Sequence, residues 1–129
     1  MIFQRFLVTL CSKDVEQSKD FYTSMFSFNV KFSSDWFIQL VTTNGNMELG
    51  IILEGHDVVP PNIKSGSNAN YLTFVVEDVD SAYEKALSLG YNVIEAPKDT
   101  IYGQKRMLVI APEGTVCDIS SLSSDNQRA

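Results

Sequence analysis

The sequence predicts an α+β fold in which two tandem βαβββ modules form a curved mixed sheet around a central cavity. Strand-length runs rich in β-branched and aromatic residues and two helical patterns follow one another in the same order in each half. The letters also repeat: DV at residues 14–15 recurs at 78–79, and FNV at 28–30 corresponds to YNV at 91–93. One helix covers only one face of a sheet, so a second module is expected to help enclose the other face.

The first module is predicted at about residues 3–54. Residues 3–12, FQRFLVTLCS, indicate a strand. Ser12 and Asp14 then offer caps for a helix with apolar or small residues at three-and-four spacing. Three strand-length runs follow, FNVKFSS, WFIQLVTT and MELGIILE, and NGN between the last two indicates a tight hairpin. The helix positions are Val15, Ser18, Tyr22, Met25 and Phe26.

A linker rich in Gly, Pro, Asn and Ser is predicted at residues 55–68, and the second module at about 69–120. NYLTFVVE indicates a strand, DVDSAYEKALSLG a helix ended by Gly90, and YNVIEAP a strand ended by Pro97. KRMLVIA and TVCDISS, joined by a PEG turn, complete the module. Residues 121–129 are predicted as a polar tail with nothing to bury. Because 129 residues fit one core of ordinary size, we expect a single domain.

The composition excludes several kinds of partner. The net charge is −6 and the pI is about 4.6, so phosphate backbones and anionic membranes would be repelled by the surface. No apolar stretch approaches the roughly 20 residues that a membrane helix needs, and the first residues lack the apolar region and cleavage site of a signal peptide. We therefore expect a cytoplasmic protein that binds neither nucleic acid nor membrane.

The two cysteines predict free, buried thiols. Cys11 and Cys117 belong to no CxxC motif and no regularly spaced set. Strand alternation places Cys11 on the cavity face together with Arg5 and Thr9, and turns Phe6 toward the first helix. The same alternation turns Cys117 away from the cavity, so a disulfide between the two cysteines is not expected.

Four segments carry a family resemblance. DVEQSKDFYTSMFSF is similar to the pattern D-x-x-x-S-x-x-F-Y-x-x-x-L-G-F, and YGQKRMLVIAPEGTVCDI to G-x-x-x-x-x-x-D-P-x-G-x-x-x-x-E/D. MELGI and FVVEDVDSAYEKALSLGYNV match the end of the first module and the start of the second. Over residues 3–120 the chain thus resembles the vicinal oxygen chelate superfamily of glyoxalases, bleomycin-resistance proteins and extradiol dioxygenases. The resemblance implies a glyoxalase-like sheet.

The resemblance also implies four metal-binding positions, which family enzymes usually fill with His, Glu, His and Glu. Here they align with Leu7, Glu48, Tyr71 and Asp118. Leu7 has no donor atom, and a phenol with a pKa of about 10 is a poor ligand for Mg²⁺, Mn²⁺ or Zn²⁺. The only histidine, His56, lies in the linker and is interpreted as a loop residue. We therefore expect no metal site and no cofactor, or at most a weakly held divalent ion.

Glu48 and Asp118 are carboxylates among apolar strand residues, and two interpretations of them stay open. In the first, they pair with Arg5 or Arg106, or lie at a solvated rim. In the second, one or both contact a cationic or hydrogen-bond-donating part of a ligand. The two interpretations carry equal weight in the sequence.

Aromatic side chains offer flat surfaces on which a ligand can stack. Trp36 and Phe37 point to opposite faces of one strand, and the sequence does not decide which of them lines the cavity. Tyr102 and Gln104 are expected at the cavity mouth, with Arg106 on the same alternation as Gln104. The predicted ligand-binding residues are Leu7, Thr9, Trp36, Phe37, Glu48, Tyr71, Tyr102, Gln104, Arg106 and Asp118.

The leading functional hypothesis is a metal-free protein of the bleomycin-resistance type, an antibiotic-resistance class, that sequesters a planar, cationic or donor-bearing small molecule. Relatives of that type build pockets from strands of two chains, so the resemblance implies a homodimer. The alternative is a glyoxalase-like lyase or isomerase, or a dioxygenase relative, with Glu48 or Asp118 as general base and a weak or absent metal. A third hypothesis is a non-catalytic interaction module. Covalent catalysis is not expected, because the sequence has no G-x-S-x-G motif and no His-activated nucleophile.

Overall fold

In the described part of the chain, eight strands and two helices follow one another in the order βαβββ, twice. The computed structural model describes residues 1–66 and 69–123. The chain divides into two compact units, Met1–Gly66 and Ser67–Ala129. Each unit holds one four-stranded mixed sheet and one helix. The predicted α+β fold of two βαβββ modules is confirmed.

Unit 1 is built from the elements β1 (Val8–Ser12), α1 (Val15–Phe26), β2 (Asn29–Ser33), β3 (Phe37–Val41) and β4 (Glu48–Leu53). The strand order in its sheet is β1-β4-β3-β2. Strand β1 runs parallel to β4, and the other neighbours are antiparallel. Helix α1 covers one face of this sheet, and the opposite face is called the far face below.

Helix α1 begins where Asp14 caps it: the Asp14 carboxylate accepts a hydrogen bond from the Gln17 backbone N–H at 3.1 Å. Ser12, the other predicted cap, instead donates its hydroxyl to the Asp14 carbonyl at 2.8 Å. Phe21 and Tyr22 are fully buried, and burying a large apolar side chain contributes about 1.5–3 kcal/mol. Buried sheet residues on the helix-covered face of this unit include Ile38, Leu40, Leu49 and Ile51.

Unit 2 is built from the elements β5 (Leu72–Val75), α2 (Val79–Ser88), β6 (Asn92–Asp99), β7 (Gln104–Ile110) and β8 (Val116–Leu122). Its strand order is β5-β8-β7-β6, with β5 parallel to β8. Asp78 caps α2, and Gly90, at a φ of 77°, follows its end. The fully buried sheet residues on the helix face are Met107, Val109, Cys117 and Ile119. The opposite face of this sheet is likewise called its far face.

The first strand is shorter than predicted. The sequence predicts a strand over residues 3–12, but β1 begins at Val8. Among the described strands β1 lies at the sheet edge beside β4, and pairing starts between Val8 and Leu49 because β4 itself begins at Glu48. Phe6, which was expected to face the helix, therefore lies outside the strand and is 70% exposed.

Two strand ends also differ from prediction. Strand β6 continues past Pro97 to Asp99, because β6 is an edge strand and a register shift between Glu95 and Lys98 interrupts its ladder at the proline. Strand β8 extends to Leu122 and so includes the first residues of the predicted tail. Residues 67 and 68 of the predicted linker and residues 124–129 of the predicted tail lie outside the described residues.

Both cysteines are free and buried, as predicted. Cys117 is fully buried on the helix face of its sheet. Burial raises the pKa of the Cys11 thiol, and the nearby Glu54 carboxylate adds to the effect. Within residues 1–66 and 69–123, no helix has the length and apolar character needed to cross a membrane.

Candidate ligand-binding site

Glu48 lies at the start of β4 on the far face of the first sheet, and its carboxylate is fully engaged. Arg5 donates from Nε to Oε2 and from Nη2 to Oε1, both at 2.6 Å. Gln39, on the neighbouring strand, donates from Nε2 to Oε1 at 2.7 Å. These bonds favour the ionised form, chiefly through Arg5, and lower the pKa of Glu48 to about 2. Of the two interpretations of Glu48, the structure therefore agrees with the first, in which the carboxylate pairs with Arg5.

Phe37 lies on the same far face as Glu48. Its ring packs over Gly50: a Cβ built at Gly50 would lie 3.1 Å from two Phe37 ring carbons and 3.1 Å from Thr9 Oγ1. Trp36 instead stacks on the His56 imidazole, with ring centroids 3.9 Å apart and the planes 4° from parallel. Of the two predicted aromatic residues, Phe37 therefore accompanies the carboxylate, while Trp36 packs on the linker.

Two cross-strand rows bring charged side chains together on the far face of the second sheet. In one row Asp118 pairs with Leu108, and Leu108 with Glu95. In the next row Ser120 pairs with Arg106. Arg106 Nη1 lies 4.0 Å from Asp118 Oδ2, and Arg106 Nη2 lies 3.8 Å from Glu95 Oε1. Both distances exceed hydrogen-bond length, so the guanidinium lies between two carboxylates without bonding either.

The residues Glu95, Arg106, Asp118 and Ser120 are called the Asp118 cluster below. Only 7% of the Asp118 side chain is exposed, and Ser120 is 1% exposed. Among the described residues, four buried atoms of the cluster have no hydrogen-bond partner: Glu95 Oε1, Arg106 Nε, Asp118 Oδ1 and Ser120 Oγ. A buried polar group left without a partner costs about 1–3 kcal/mol, and more when it is charged. The cluster therefore has polar capacity that the described protein does not use.

Burial also changes the acidity of Asp118. Loss of solvation raises the pKa of this carboxyl above its usual value, and the neighbouring Glu95 adds to the rise. Arg106 acts in the opposite direction, but its long ion pair does not overcome the effect of burial. Glu48 and Asp118 thus have opposite pKa shifts, because only Glu48 has strong donors.

The two carboxylates do not occupy matching places in the repeat. Thr9 pairs with Gly50 in unit 1, and Thr73, which follows Thr9 by the repeat offset of about 64 residues seen in the sequence, pairs with Asp118 in unit 2. The counterpart of Asp118 is therefore Gly50, and Glu48 lies two residues earlier. The expected ligand positions of the two modules thus differ by two residues along the strand, which leaves them on the same face of the sheet but not at equivalent places.

The residues at the four family metal positions do not fit a divalent ion. Leu7 has no donor atom, and both oxygens of Glu48 are held by Arg5 and Gln39. Tyr71 is 62% exposed and offers only a phenol. In the part of the chain that the structure describes, no three His, Cys, Asp or Glu side chains come close enough to hold a metal ion.

The remaining predicted residues lie at strand ends or are exposed. Tyr71 immediately precedes β5, and Tyr102, 58% exposed, lies in the turn before β7. Gln104 is the first residue of β7 and pairs with Leu122. Leu7 is half-buried just before β1, and Thr9 is exposed within it. A cleft of about 730 Å³ near the start of α2 includes Val75, Asp78, Lys105 and Ser121 but no member of the Asp118 cluster.

Three residues that lie beside Glu48 or Asp118 were not predicted as site residues from the sequence: Gln39, Glu95 and Ser120. Ser120 and Gln39 carry a usable signal, since alternation from Asp118 and from Phe37 places them on the same faces as those residues. Glu95 carries none, because register shifts on both sides of it change which face its strand presents.

The family model described as Glyoxalase/Bleomycin resistance protein/Dioxygenase superfamily matches residues 5–117. The chain belongs to this superfamily. The resemblance drawn from the four sequence segments is therefore confirmed. Comparison with curated protein sequences finds no match for this superfamily member.

Solved structures share the fold along almost the whole chain. A glyoxalase-related enzyme from Fulvimarina pelagi has 20% sequence identity and a TM-score of 0.78, over 93% of this chain and 88% of that one. A glyoxalase/bleomycin resistance protein/dioxygenase family enzyme from Burkholderia phytofirmans PsJN has 25% identity and a TM-score of 0.75, over 91% and 97%. A conserved domain protein has 26% identity and a TM-score of 0.72, over 94% and 100%.

Glu48→Gln is expected to reduce the acid sensitivity of this superfamily member. The native pKa of Glu48 is about 2, against an ordinary 4.5, so its ion pair stabilises the fold above about pH 4.5 and this contribution is lost as the pH falls toward 2. Melting temperatures at about pH 6, 4 and 3 measure the slope. Glu84→Gln, at an exposed position of α2, is the control and keeps the wild-type slope. Equal slopes for wild type and Glu48→Gln would contradict the ion pair.

Gly50→Ala is expected to lower the free energy of unfolding by about 1–3 kcal/mol, because the new methyl group crowds Phe37 and Thr9. Phe37→Leu removes the crowded ring carbons, so Gly50→Ala should cost less in that background. Urea denaturation of the four proteins in this double-mutant cycle measures the coupling. Strictly additive effects would show that Phe37 does not pack over Gly50.

Proposed function

We propose that this superfamily member is a metal-free small-molecule-binding protein of the bleomycin-resistance type, which holds a ligand without transforming it. The observation that supports the proposal is the Asp118 cluster: a buried carboxylate and a guanidinium on the far face of a sheet, both with atoms left without hydrogen bonds. Native proteins rarely leave such atoms unpartnered unless a water, an ion or a ligand completes them.

The surroundings of the cluster suit a planar organic molecule. Thr73, the strand partner of Asp118, is exposed, and Tyr71 two residues earlier offers a largely exposed ring for stacking. Leu108 lies between Asp118 and Glu95 in the cross-strand row and adds an apolar surface. A few polar groups fixing the orientation of a mainly apolar contact are typical of small-molecule sites.

The metal-free part of the proposal rests on chemistry of the side chains. A divalent ion in this superfamily would supply Lewis-acid activation of an oxygen substrate, but Leu7 and Tyr71 are poor ligands and Glu48 is already neutralised by Arg5. The homodimer and the cytoplasmic location implied by the sequence are part of the same proposal.

A second candidate function is a lyase or isomerase with Asp118 as general base. Its raised pKa and its oxygen without a donor are properties of a carboxylate that can accept a proton from a substrate. Glu48 is a weak candidate for this role, because a carboxylate with a pKa of about 2 and three hydrogen bonds is a poor base. Asp118 is therefore the candidate general base for this alternative.

Thermal shift and calorimetry with a panel of planar cationic drugs test the proposal. We expect at least one compound to raise the melting temperature of the wild type, and Asp118→Asn and Tyr71→Ala to weaken that effect by about tenfold in affinity. Glu84→Gln, which removes one exposed carboxylate of the same unit, is the matched control.

Three observations would contradict the proposal. One is a stoichiometric metal ion in protein purified without chelator and its loss in Asp118→Asn. Another is conversion of a bound compound to a product, detected by mass spectrometry. That result would favour a lyase or isomerase with Asp118 as general base. The last is that no compound in the panel binds.

A further inference from the structure

The Asp118 cluster holds more carboxylates than cations. Asp118 and Glu95 flank a single guanidinium, that of Arg106. Lys98 Nζ reaches Glu95 at 3.5 Å, but its side chain is 66% exposed, and exposed ion pairs contribute little. Counted over Glu95, Arg106 and Asp118, the cluster carries a net charge of −1 when both carboxyls are ionised, which disfavours an anion and favours a cation.

The unpartnered atoms define what a ligand must present. Asp118 Oδ1 and Glu95 Oε1 are acceptors and require N–H or O–H donors. Arg106 Nε is a donor and requires an acceptor, and Ser120 Oγ serves in either sense. A ligand that completes the cluster thus carries a positively charged donor group with an oxygen or nitrogen acceptor beside it.

The surroundings of the cluster supply only distant partners: the exposed Lys98 Nζ lies 3.5 Å from Glu95 Oε1, too far for a strong charge-assisted hydrogen bond. Arg106 approaches each carboxylate only at 3.8–4.0 Å, so it offsets part of their charge without satisfying the two free acceptor oxygens. Glu48 shows the contrast, because bidentate Arg5 and Gln39 leave no free acceptor there. The same residue types thus form a closed ion pair in unit 1 and an unfilled polar cluster in unit 2.

We propose that Glu95, Arg106, Asp118 and Ser120 form a cation-selective subsite that binds the amidine, guanidine or ammonium end of a small molecule, with Asp118 and Glu95 accepting from the cationic nitrogens. The inference rests on the proposed binding function and names the chemical class of its ligand. Arg106 and Ser120 bind the acceptor that lies next to the cation. Glu95 is a specificity-determining residue, since it adds the second acceptor on which selectivity for a multi-donor cation depends.

Benzamidine, benzamide and benzoate are close in size and shape and differ in charge, so they test this subsite directly. Two-dimensional amide NMR titrations of the full chain are expected to show benzamidine shifting the backbone signals of residues 118–120 and 106. Benzamide should bind at least about tenfold more weakly, and benzoate should show no saturable shift at these signals.

Variants assign the selectivity to the cluster. Asp118→Asn and Glu95→Gln should each weaken benzamidine by about tenfold, whereas the matched control Glu84→Gln should leave it unchanged. Arg106→Gln should retain or strengthen benzamidine binding, because it removes the competing cation from the subsite. Thermal melts of each variant, by circular dichroism, show whether the fold persists, and Glu95→Gln supplies the test if Asp118→Asn does not fold.

The outcomes separate this inference from the proposed function. Preferred binding of benzoate, or loss of benzamidine binding only in Arg106→Gln, overturns the cation subsite and makes the cluster an anion site. If the cationic drug panel yields a compound whose affinity is indifferent to Asp118→Asn and Glu95→Gln, small-molecule binding stands but the subsite is wrong. No binding of benzamidine at millimolar concentration also overturns it.

Discussion

The functional account of this protein depends on one unusual feature: a buried carboxylate, Asp118, that its own sheet does not satisfy. Strand alternation places Asp118 on the far face of unit 2 between Thr73 and Leu108, neither of which offers it a strong donor. The nearest cation, Arg106, lies 4.0 Å away. Burial then raises the pKa of the carboxyl and leaves one oxygen without a partner. Such an arrangement destabilises a fold, and it is the observation from which we propose a ligand site.

Glu48 shows how the same chain satisfies a carboxylate when it has a structural role. Arg5 reaches it from outside β1 with two hydrogen bonds, and Gln39 adds a third from the neighbouring strand. The residue segment before β1, which forms no strand, is thereby fixed to the sheet. Although the two units share an element order, their carboxylates lie at non-equivalent positions and have opposite pKa shifts. The repeat has therefore diverged in chemistry while keeping its fold.

The sequence predicted the fold well because its signals are local. The two DV dipeptides mark helix starts, since each aspartate accepts hydrogen bonds from the first turn, and Gly90 adopts the left-handed conformation expected after a helix. The start of β1 was not predictable, because it is set by where the partner strand β4 begins. Within the site, Asp118 was predicted from the family resemblance and Arg106 from alternation with Gln104. Glu95 was not predicted, because register shifts in β6 break the alternation on which that reasoning depends. Trp36 and Phe37 were undecided for a similar reason: which face they occupy is fixed by packing on Gly50 and His56.

The pH dependence of the stability of Asp118→Asn tests the central claim most directly. A native carboxyl with a raised pKa favours folding when it is protonated, and this advantage is lost as the pH rises through the native pKa. If Asp118 is a buried, unsatisfied carboxylate, Asp118→Asn will have a higher free energy of unfolding than the wild type at neutral pH. That gain will shrink as the pH falls from neutral through the raised native pKa, and the change will be complete by about pH 4, the ordinary pKa of an unfolded aspartate. A variant that is less stable than the wild type at neutral pH, with a loss that disappears at low pH, would show instead that Asp118 forms a stabilising ion pair with Arg106.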